Sequence, residues 1–138
     1  VESLGYKPII IPDSDQPFDE EGLPPRFTDI GLAATYNMGI RLHLYQKAFV
    51  NCYVPNGPGI FAIYSTNINY IYMKGWLEGA CITPSTVDGY YWIDPVALRP
   101  YWGSDLQSWN GDDDTFENIK KHFDEFCIRF NKKRVSDS

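Results

Sequence analysis

Two histidines and three cysteines are the side chains here best suited to nucleophilic or metal chemistry, and Arg41, His43 and Cys52 come closest to a reactive set. If Gln46 and Lys47 form a two-residue turn between strands, Arg41 faces Cys52 and His43 faces Val50. The imidazole then lies diagonal to the thiol on one sheet face. A thiolate nucleophile needs a base and positive charge beside it, which His43 and Arg41 would supply. No oxyanion-hole motif accompanies the pair, and a packed cysteine beside a surface histidine is the plainer reading.

His122 has no H-x-x-x-H partner, so a place on the flank of a helix explains it better than a ligand role. Asp112, Asp113 and Asp114 suggest an acidic calcium loop, but the D-x-D-x-D-G spacing and the closing glutamate are missing. Capping and favourable charge at a helix N-terminus account for these acids. The phosphate-loop, dinucleotide-binding and hydrolase-elbow motifs do not occur, and no motif calls for a cofactor.

What the chain has in abundance is aromatic surface. Nine of its ten tyrosines and all four tryptophans fall between Tyr36 and Trp109, while residues 31–111 carry only four basic and four acidic side chains. Tyr90, Tyr91, Trp92, Tyr101, Trp102 and Trp109 cluster in sequence, and alternation along a strand turns some of them outward. Exposed tyrosine and tryptophan give rigid contact area suited to a protein hot spot or to stacking on a sugar ring.

Charge is placed unevenly. The net charge is −6, and residues 1–30 hold seven acids against Lys7 and Arg26. From residue 8 to residue 25 there are five prolines and five acids and no base, including Asp19, Glu20 and Glu21. Such a segment is extended and irregular, because proline fixes φ and removes donors. A phosphate backbone is repelled by this field, so nucleic acid is set aside as a partner, and another protein with a basic surface fits better. The basic run Arg129, Lys132, Lys133 and Arg134 reads as cations complementing the end of a helix dipole.

No apolar run reaches the ~20 residues of a membrane helix. The odd cysteine count without C-x-x-C spacing favours a reducing cytoplasm, although a chain that begins at Val1 reads as a fragment or processed form and leaves the compartment open.

The elements that would position these groups follow from periodicity. Thr28 or Asp29 caps a short helix through about Met38, with Gly39 at its end. Ile40, Leu42 and Leu44 alternate with Arg41, His43 and Tyr45 as in a half-buried strand. Further strands are expected over residues 48–54, 60–65, 68–73, 76–83 and 90–94. PNGPG at residues 55–59 is a turn, and Asp88-Gly89 a hairpin turn. The segment from Val96 to Gly111 reads as a long loop with a helical turn. Asp114 and Glu117 form a capping box for a helix whose Phe116, Ile119, Phe123, Phe126 and Phe130 make one apolar stripe, with Ile128 outside it.

The expected architecture is therefore α+β. An extended acidic arm (1–27) precedes a single domain (28–138), in which an antiparallel sheet of five or six strands carries a C-terminal amphipathic helix on one face. The expected function is a non-catalytic protein-interaction module of the inhibitor, immunity or adaptor kind, using the arm and the aromatic surface. A small-ligand or carbohydrate-binding domain with a Tyr/Trp-lined pocket is the alternative, and a cysteine-dependent enzyme a third.

Overall fold

The computed structural model describes residues 5–12, 29–54, 57–75, 93–94 and 96–138. Among them the order is α1 (Asp29–Tyr36), α2 (Met38–Lys47), β1 (Asn51–Tyr53), α3 (Ile60–Ile63), β2 (Tyr70–Tyr72), β3 (Ile93–Asp94), β4 (Arg99–Pro100), β5 (Gln107–Trp109) and α4 (Phe116–Ser136). The chain divides into two units, Val1–Lys47 and Ala48–Ser138.

In the first unit the expected strand over residues 40–45 is a helix. Asn37 ends α1 and begins α2: its side-chain oxygen accepts the Ile40 amide at 3.1 Å, the bond of a helix N-cap. The apolar alternation at Ile40 and Leu44 is equally an i,i+4 pair, as are the buried Arg41 and Tyr45. Gly39 consequently lies inside the first turn of α2 and closes nothing.

Arg41 organises this unit. Its Nε donates to the Ala34 carbonyl at 3.0 Å and its Nη2 to the Pro12 carbonyl at 3.4 Å. A cation thus meets a carbonyl in the last turn of α1, where the helix leaves acceptors unfilled and its dipole is negative. Thr35 Oγ1 donates to the same Pro12 carbonyl at 3.2 Å.

In the second unit the expected antiparallel sheet of five or six strands is replaced by two smaller sheets. β1, β2 and β5 form a three-stranded sheet with both pairings parallel, and β3 pairs antiparallel with β4. The registers are Cys52 opposite Ile71 and Ile71 opposite Ser108 in the first, and Ile93 opposite Pro100 in the second. The physical reason is the run expected as a strand at residues 60–65. Pro58 and Gly59 open a helical turn instead, and the Ala62 amide reaches the Gly59 carbonyl at 3.0 Å. With α3 lying between them, β1 and β2 are joined by a crossover, the connection that parallel strands require.

The strand expected at residues 68–73 is present as β2, and the loop expected over residues 96–111 contains β4 and β5. Of the strand expected at residues 90–94, Ile93 and Asp94 form β3 and the remainder lies outside the described residues. The strand expected at 76–83 and the turn at Asp88-Gly89 also lie outside them, as does most of the 1–27 arm.

Every residue of β2 is buried, as expected of a strand with neighbours on both edges. Gln107 fixes the sheet to the preceding segments: its Nε2 donates to the Ser65 carbonyl at 2.6 Å and the Ile68 carbonyl at 2.8 Å, and its Oε1 accepts the Ser104 amide at 3.1 Å. A buried amide satisfied three ways is a registration device, because any shift strands polar groups away from water.

Next to β2, Gly75 lies so close to Trp109 that a Cβ there would sit 1.8 Å from the indole Nε1, which leaves room only for hydrogen. The preceding Lys74 takes φ 51, and its amide donates to the Asp112 carbonyl at 3.0 Å.

The terminal helix forms as its stripe predicts, capped by Thr115 rather than Asp114. Thr115 Oγ1 accepts the Asn118 amide at 3.3 Å, and helical geometry begins at Phe116. Phe123 and Phe126 are buried, whereas Phe116 is exposed beyond the reach of the core. Phe49 enters the stripe edge-on, with ring centroids 5.1 Å from Phe126 and 4.9 Å from Phe130. Each buried phenylalanine contributes about 1.5–3 kcal/mol of transfer free energy, so this seam is a principal source of the unit's stability. Ile128 is exposed on the opposite face.

Candidate functional site

The chemistry-bearing residues of the second unit separate into a closed set and an open one. In the closed set, His122 is buried on α4 with its Nε2 2.7 Å from Asp112 Oδ2 and its Nδ1 3.4 Å from Glu125. The bond from His122, followed by the one from Lys121, holds the Asp112 carboxyl below the usual carboxylate range. An ionised carboxylate can only accept, so Nε2 carries the proton in this bond. Lys74 Nζ reaches Asp114 Oδ1 at 2.5 Å, which lowers that carboxyl as well. Asp112 and Asp114 thus pin the segment before α4 to its neighbours. Among the described residues no group of three or more His, Cys, Asp or Glu side chains stands in a metal-holding arrangement.

The thiol and imidazole pairing loses its geometric basis, because His43 sits on α2 rather than on a strand facing β1. Cys52 is exposed by surface area, yet protein atoms crowd its sulfur and push the thiol up to about 11. A raised thiol is a poor nucleophile at neutral pH, since the thiolate is the reacting form. Burial also pushes the Tyr72 hydroxyl up to about 12. The Tyr70 hydroxyl is raised further, chiefly by burial and then by Tyr72, against a lowering influence from Arg99. These tyrosines are core groups, with Tyr53 packed against both at 5.7 and 4.9 Å between ring centroids.

The open set is aromatic. Trp102, in the turn after β4, lies against Tyr64 at the end of α3 with ring centroids 5.6 Å apart and planes 11° from parallel. Its Nε1 donates to the Ile63 carbonyl at 2.9 Å, so both a stack and a hydrogen bond hold the indole in one orientation. Tyr64 is 65% exposed, Tyr101 63% and Trp102 37%. Ile60 and Phe61, one turn before Tyr64, are exposed as well. Residues 57–73 carry no acid, lysine, arginine or histidine, so the α3 side of this ledge meets solvent without charge, while on the Trp102 side Arg99 and Asp105 pair with each other at 2.7 Å.

Of the binding residues expected from sequence, Tyr101 and Trp102 lie in this exposed turn. Trp109 is 2% exposed and stacks on Tyr72 at 4.2 Å, inside the sheet. Tyr90, Tyr91, Trp92, Asp19, Glu20 and Glu21 lie outside the described residues. The expectation passed over Tyr64 and Phe61. Their i,i+3 spacing is the signal, and it becomes readable only once residues 60–63 are recognised as helix.

No protein-family model matches the chain, and neither a curated protein nor a solved structure matches it. No helix of the described residues is long and apolar enough to cross a membrane.

Proposed function

We propose that this chain is a non-catalytic protein-interaction module of the inhibitor, immunity or adaptor kind, meeting its partner through the Tyr64–Trp102 ledge and the acidic N-terminal arm. The observation that carries the proposal is the stacked, hydrogen-bonded and still exposed pair itself. Rings already held in place lose little freedom on contact, and Trp and Tyr dominate binding hot spots for that reason. The polar groups of the clasp that Lys74, Asp112, Asp114 and His122 form before α4 are engaged with one another and the Cys52 thiol is unactivated, which leaves recognition as the chemistry supported best. In the arm, Asp19, Glu20 and Glu21 favour a partner with a basic surface, whose approach the field would accelerate.

The test is capture from an extract of the native source by immobilised protein, with retained proteins identified by mass spectrometry. Tyr64→Ala and Trp102→Ala are each expected to weaken retention of the same partner about tenfold or more. Removing residues 1–25 is expected to weaken it chiefly at low salt. Equal retention by the wild type and both ring variants overturns the proposal.

The lack of charge along the α3 side of the ledge favours one second reading, stacking of a neutral sugar ring on Tyr64 and Trp102. Titration with neutral oligosaccharides would then quench tryptophan fluorescence in the wild type and not in Trp102→Phe, and a flat response rules this reading out.

A further inference from the structure

We draw no further inference here: the strongest candidate, the exposed aromatic ledge of Tyr64 and Trp102 beside α3, belongs to the site already described, and nothing in the structure shows what chemistry covers it.

Discussion

The segment before α4 and the ledge beside α3 are both rich in groups that could bind something, but they are finished differently. Around Asp112, Asp114 and His122 the side chains engage one another within the chain: Lys74 with Asp114, and His122 and Lys121 with Asp112. Around Tyr64 and Trp102 the rings are oriented from behind by Ile63, with much of their surface left open. Groups that satisfy one another hold structure in place, whereas groups fixed in position yet uncovered retain surface for another molecule.

The sharpest way to break this contrast is at Gly75, which follows Lys74 of the clasp in the chain and lies against the Trp109 indole. Gly75→Ala would drive a methyl group into that ring and is expected to destabilise the protein by about 2–3 kcal/mol in urea unfolding. An unchanged midpoint would mean that Trp109 can move aside. Next in size is the ledge, where Tyr64→Ala combined with Trp102→Ala should weaken partner binding about 30-fold, close to 2 kcal/mol, as read by calorimetry. The clasp variant Asp112→Asn should leave that binding unaltered.

Asp112→Asn should instead reduce stability by about 1 kcal/mol, a figure discounted because the carboxylate is partly solvated. Chemical denaturation of the variant against the wild type checks it. The smallest effect is its pH dependence. Because the folded-state Asp112 carboxyl lies below its unfolded value, its contribution is complete above the ordinary carboxylate range and is lost as pH falls through the depressed value. The stability gap between wild type and Asp112→Asn should therefore close on acidification, and a gap that widens would contradict the assigned bond.

The sequence disclosed α4 most clearly, because Phe123, Phe126 and Phe130 repeat over a helix long enough for a 3.6-residue period to declare itself. It disclosed β2 as well, but not the partners of β2, since pairing depends on which segments meet in three dimensions. Residues 40–45 and 60–63 misled for a shared reason. The alternation of Ile40, Leu42 and Leu44 and the apolar run Ile60–Ile63 are both so short that a two-residue and a helical period fit them alike, and the decisive marks lay just upstream at Asn37 and at Pro58-Gly59. Trp102 was legible by type as a residue of the proposed contact surface, while Tyr64, which stacks on it, was hidden inside the misassigned run.

Because β2 runs parallel to both its neighbours, no hairpin can start the three-stranded sheet. A nascent or truncated polypeptide that stops short of Gln107 would leave Tyr70, Ile71 and Tyr72 with one bare hydrogen-bonding edge, a template for intermolecular aggregation. In the folded chain it is β5 that closes that edge.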